Sequence, residues 1–128
     1  MDSKYIVLFK EMMLGAANLA EQVMSYNKEK GDQKGYETAE IMRNDYLNLH
    51  QNLQNPAYIP AREDFARLLV AAYVLSNNIT EHIKLQQKAL DGYKLDILPK
   101  LDRILNEAKT NEEAIDLANK IFVLENET

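Results

Sequence analysis

The sequence predicts an all-α fold, an antiparallel helical bundle of four to five helices with a long central third helix, built by residues 1–128 as a single helical domain. Three observations lead there. Apolar residues recur at steps of three and four through most of the chain, the period of one helix face. Nowhere do they alternate with polar residues as a half-buried strand requires. The interruptions are short and carry helix-stop or helix-start residues: Gly31-Asp32, the stretch from Asn55 to Pro60, Gly92 and Thr110. A chain of 128 residues can bury about two-thirds of its unfolded surface around one core.

The first helix is expected over residues 3–30, with Tyr5, Phe9, Met12, Met13, Ala16, Leu19, Ala20, Val23 and Met24 on its inner face. Asp2 or Ser3 suits its N-cap, Gly31 its left-handed end, and Asp32 the cap of the next helix. The second helix, residues 33–53, carries Tyr36, Ala39, Met42, Tyr46, Leu49 and Leu53. With so short a link, it folds back on the first as a hairpin. Pro56 and Pro60 then break the pattern, and Pro60 is expected at the first position of the third helix, with Glu63 and Asp64 at its positive end.

That third helix is expected over residues 60–91, ~46 Å long, with apolar side chains on nearly every side between Phe65 and Leu75. Such a girdle asks for cover all round, from this chain or from another copy. The fourth helix, residues 96–109, takes Asp96 as cap, Pro99 in its first turn, and a stripe of Ile97, Leu98, Leu101, Ile104, Leu105 and Ala108. A kinked continuation of the third helix is the competing reading. Thr110 and Glu113 have capping-box spacing and open a last helix over residues 111–125, with Ala114, Leu117, Ala118, Ile121 and Leu124 on one face.

Composition narrows the function. With no cysteine there is neither a disulfide framework nor a thiolate metal site, and a reducing compartment is expected. Lys10 and Glu11 interrupt the first apolar stretch, and the Phe65–Leu75 run is far short of the ~20 residues of a membrane span. The expected location is the cytoplasm, with no membrane partner. Fifteen basic against twenty acidic residues give a net charge of −5, which opposes non-specific binding to nucleic acid.

Chemistry-bearing constellations are missing. His50 and His82 are the two histidines, preceded at three residues by Leu47 and Ile79 rather than by the glutamates of a helical metal site. No metal or cofactor is expected. Ser3, Ser25 and Ser76 lack a local base, and the adjacent Glu81 and His82 point about 100° apart on a helix. Gly15, Gly31, Gly35 and Gly92 form no phosphate-binding loop. Gly15 with Ala16, Ala17 and Ala20 makes a small-residue patch that suits close approach of another helix. Arg67 lies among apolar neighbours and is expected to pair with Glu63, one turn back, or with a partner's carboxylate. Met12, Met13, Met24 and Met42 suit adaptable packing or an adaptable groove, core filling being the commoner use.

What remains is a non-enzymatic helical protein-protein interaction or regulatory module, expected to self-associate as a homo-oligomer or to bind a protein partner. Its contact residues are expected to be Tyr36, Met42, Tyr46 and Leu49 of the second helix with Arg67, Val70, Tyr73 and Val74 of the third. One alternative is a nucleic-acid-associated regulator using a basic strip of Lys84, Lys88, Lys94, Lys100 and Arg103, although Asp91, Asp96 and Asp102 interleave with it. The other is a small-molecule pocket inside the bundle.

Overall fold

A computed structural model describes residues 3–77 and 93–123. The described residues are all-α: α1 (Ser3–Lys30), α2 (Gln33–Asn52), α3 (Arg62–Asn77), a π-helical turn (Tyr93–Ile97) running into α4 (Leu98–Glu107), and α5 (Asn111–Ile121). The part of the third helix expected beyond Asn77, with Gly92 and residues 124–125 of the last, falls outside the described residues.

Local chemistry sets the boundaries. Gly31 ends α1 at φ +74°, and the amides of Gly31 and Asp32 donate to the carbonyls of Lys28 (3.3 Å) and Asn27 (2.9 Å), satisfying the last turn in a Schellman arrangement. Asp32 Oδ1 then accepts from the amide of Gly35 at 2.9 Å and starts α2. The turn is tight enough that a Cβ on Gly35 would lie 2.6 Å from Asp32 Oδ2, so glycine there keeps the cap in place.

Four expectations are corrected at helix starts. Helix α3 begins at Arg62, two residues after Pro60, because Asp64 turns back and accepts from the amide of Ala61 at 2.8 Å. Arg67 pairs with that same Asp64 at 3.3 Å, where Glu63 had been expected. Asp96 does not cap α4. It lies within the π-helical turn and is engaged by Tyr5 and Lys100, while the residue at the cap position is Ile97, with no side-chain bond. At α5, Thr110 accepts from the amide of Glu113 as the capping box requires (3.2 Å), but the Glu113 carboxylate receives the Thr110 hydroxyl (3.3 Å).

Helix α1 packs on α2 along the hairpin and on α3, which in turn carries the π-helical turn, α4 and α5. Gly15 allows the α1–α3 approach, since a Cβ there would meet Leu75 Cδ2 at 3.1 Å. The core holds Phe9, Met12, Met13, Phe65, Leu68, Leu101, Ile104 and Phe122; Met24 is buried as well, so three methionines fill core, while Met42 stays 36% exposed. The Phe122 ring meets Tyr5 and Phe9 edge-on at 5.0 and 5.1 Å. Arg62 ties the layers together: its guanidinium donates to the carbonyls of Leu105 (2.7 Å) and Ala108 (2.9 Å) at the end of α4, and its amide donates to Asn111 Oδ1 (2.8 Å).

Candidate interaction groove

Between α1 and α2 the packing leaves a concavity on the side nearer the hairpin turn. An apolar groove of about 320 Å³ opens there, lined by Ala16, Leu19, Ala20, Gln22, Val23 and Tyr26 from α1, Ala39, Met42 and Tyr46 from α2, and Val74 from α3. Small side chains make its floor: Ala16, Ala20 and Ala39 are all buried. Large ones stand at its edge, with Val23 48%, Tyr26 59% and Met42 36% exposed. Val23 and Met24 had both been expected on the buried face of α1; Met24 is 6% exposed and takes that place, whereas Val23 stays outside it.

Apart from Gln22 and the two tyrosine hydroxyls, no lining side chain is polar, and none is charged at neutral pH. The groove therefore offers contact area and no acid, base or nucleophile. Tyr46 is the exception to its apolar logic. The residue is 4% exposed, and its buried hydroxyl has no hydrogen-bond partner. Burial and then the charge of neighbouring Asp45 push its pKa upward.

Of the expected contact residues, Met42, Tyr46 and Val74 come together in this groove. Val70 and Tyr73 are exposed on α3, the helix that contributes Val74. Leu49 is buried in this chain's own core, and Tyr46 lies at the junction of core and groove. Tyr36 is half-buried and faces a separate, polar hollow at the hairpin turn with Asn27 and Asp32. Arg67 is held by Asp64, which also accepts the Tyr58 hydroxyl at 2.6 Å. Burial, followed by that bond and the Asp64 charge, raises the Tyr58 pKa to about 12. Leu19, Val23 and Tyr26 did not figure among the expected contacts, although their spacing of four and three residues places them along one side of α1.

Of the five residues of the expected basic strip, Lys100 and Arg103 have described side chains. Lys84, Lys88 and the side chain of Lys94 lie outside the described residues. Lys100 bonds Asp96 at 2.7 Å and the Tyr5 hydroxyl at 3.0 Å, and its ammonium stands 5.0 Å from the Tyr5 ring centre and 5.9 Å from that of Phe122. Burial works to lower the Lys100 pKa, but the bonds to Asp96 and Tyr5 and the Asp96 charge outweigh it and raise it. Arg103 pairs with Glu107 at 2.6 Å. Both cations, with Lys120, border a surface hollow of about 380 Å³ floored by Pro99, Ile121 and Val123.

His50 shares a 3.1 Å contact between its Nε2 and Gln54 Nε2, and His82 lies outside the described residues. Among the described residues no group of three metal-ligating side chains converges, and no helix is long and apolar enough to cross a membrane. Compared with known protein families, with curated proteins and with solved structures, this chain matches none.

Proposed function

We propose that this chain is a non-catalytic helical interaction protein whose contact surface is the groove between α1 and α2. One observation carries the reading: a concave apolar surface of about 320 Å³ is bordered by Val23, Tyr26 and Met42, large apolar side chains left substantially exposed. Isolated exposed apolar residues are ordinary, whereas several converging on one concavity mark a surface that gains by being covered. The uncharged lining supports contact over chemistry. Met42→Glu tests it, because the charge would be buried by any occupant yet is tolerated by the free chain at a position already 36% exposed. The variant is expected to keep its helical circular dichroism and to lose both assembly in native mass spectrometry and binding of an apolar fluorescent dye. A variant that assembles and binds dye as the parent does would remove the groove from the function.

A second reading has its own observation. Lys100, Arg103 and Lys120 border one hollow, which suits an anionic partner such as nucleic acid, although Asp96 and Glu107 already engage two of the three. A mobility shift at low salt that disappears in Arg103→Glu with Lys120→Glu would favour it, and no shift at low salt would end it.

A further inference from the structure

We infer that Met42 is an oxidation site of this protein: hydrogen peroxide converts its thioether to the sulfoxide ahead of Met12, Met13 and Met24, and the added oxygen switches the apolar groove to a polar edge; the switch rests on the groove being the contact surface. The chain has no cysteine and five methionines, so all of its sulfur is thioether and no thiol competes for the oxidant. Burial then sorts those thioethers. Met12 and Met13 are fully enclosed and Met24 is 6% exposed, whereas Met42 is 36% exposed. Met1 lies outside the described residues.

The reaction is bimolecular. A sulfur lone pair attacks one oxygen of the peroxide, the S–O bond forms as the O–O bond breaks, and the other oxygen leaves as water carrying both hydrogens. Sulfur is oxidised by two electrons and the peroxide is reduced by two. Sulfur and oxidant must therefore meet, and a thioether in the core with Phe9 and Phe65 meets peroxide only when the core opens. On α2 the inner stripe is buried at Ala39, Tyr46 and Leu49, and the groove leaves Met42, between them, accessible. The surroundings give the product its effect. A sulfoxide is polar, and here it enters a lining that holds no charge and is otherwise edged by Val23 and Tyr26. Any apolar occupant covering Met42 would have to strip water from the new oxygen. The free chain leaves that oxygen in solvent and keeps its fold, which separates a switch from damage to the core.

Dilute hydrogen peroxide followed by peptide mass spectrometry tests the site. In the folded chain Met42 is expected to gain its oxygen at least about tenfold faster than Met12, Met13 or Met24, and in urea these rates are expected to converge. Equal rates in the folded chain, or Met24 ahead of Met42, would overturn the assignment. The switch is read with the apolar dye. Chain oxidised at Met42 is expected to keep its helical circular dichroism, to bind dye at least about fivefold more weakly, and to recover after treatment with a methionine sulfoxide reductase and its thiol reductant. Met42→Leu, compared with its own untreated sample, is expected to show no change on the same exposure. Unaltered dye binding by the Met42 sulfoxide, or an equal loss in Met42→Leu, would overturn the switch. The unoxidised chain judges the contact surface separately. If it binds dye through a site sensitive to Met42→Glu, that reading survives a failed switch; if it binds none, the switch falls with the reading, and the oxidation site stands or falls on the peptide masses.

Discussion

Tyr46→Phe is expected to stabilise this protein, against the usual direction of a core substitution. The residue is 4% exposed, and its hydroxyl is buried without a hydrogen-bond partner, so folding strips water from that group and returns nothing. An unmade buried hydrogen bond costs roughly 1–3 kcal/mol, and deleting the oxygen leaves a void of one atom that takes back a part, for a net gain of about 1 kcal/mol. At roughly 2.1 cal/mol/K per residue, 128 residues unfold with an entropy near 0.27 kcal/mol/K, so the gain corresponds to about 4 °C in Tm. Guanidinium unfolding followed by circular dichroism, at low protein concentration so that no occupant intervenes, should move the midpoint upward with an unchanged m-value. A variant less stable than the parent by more than about 0.5 kcal/mol would refute the reasoning, because it would mean the hydroxyl is satisfied in solution.

Arg62→Ala is expected to cost about 3 kcal/mol, since it unpairs the carbonyls of Leu105 and Ala108 and removes a cation from the end of α4, while Arg62→Lys, able to reach one carbonyl, loses about half as much. Equal stability of the alanine and lysine variants in urea would contradict a two-pronged role. The Tyr58 pKa, raised from 10.0 to about 12, favours the protonated folded state. Its share of stability is therefore fully present below pH 10 and is lost as pH climbs from 10 toward 12, and the loss should be shallower in Tyr58→Phe; parallel pH profiles for the two proteins would sink the assignment.

Most of the helical layout was legible because its signals are local. Gly31 and Asp32 stop one helix and start another with chemistry contained in the nine residues from Asn27 to Gly35, and Thr110 starts α5 as locally. The stripe of α4, from Ile97 to Ala108, is buried as its spacing predicts, with Leu105 partly so. Where sequence reasoning missed, another residue already had a claim on the side chain. Asp96 looks like a cap until Tyr5, ninety-one residues away, and Lys100 claim its two oxygens. Asp64, not Glu63, meets Arg67 because the same carboxylate is already fixed by Ala61 and Tyr58. Arg62 gave no signal at all: its carbonyl partners are forty-three and forty-six residues on. The groove was half legible. Met42, Tyr46 and Val74 were expected contacts, but a period of three and four cannot say where along the hairpin the inner stripe ceases to be covered.

That last point also bounds the strength of any association. Fully burying a large apolar side chain gains roughly 1.5–3 kcal/mol, and Val23, Tyr26 and Met42 still have about a third to three-fifths of their surface to bury. Covering all three yields about 2–4 kcal/mol per copy, or about 4–8 kcal/mol for a twofold contact in which both grooves close. Association itself costs some 4–15 kcal/mol in lost freedom, so these three residues do no more than offset the lower part of that cost. A micromolar complex needs about −8 kcal/mol net, so even that affinity requires contact surface beyond these three residues.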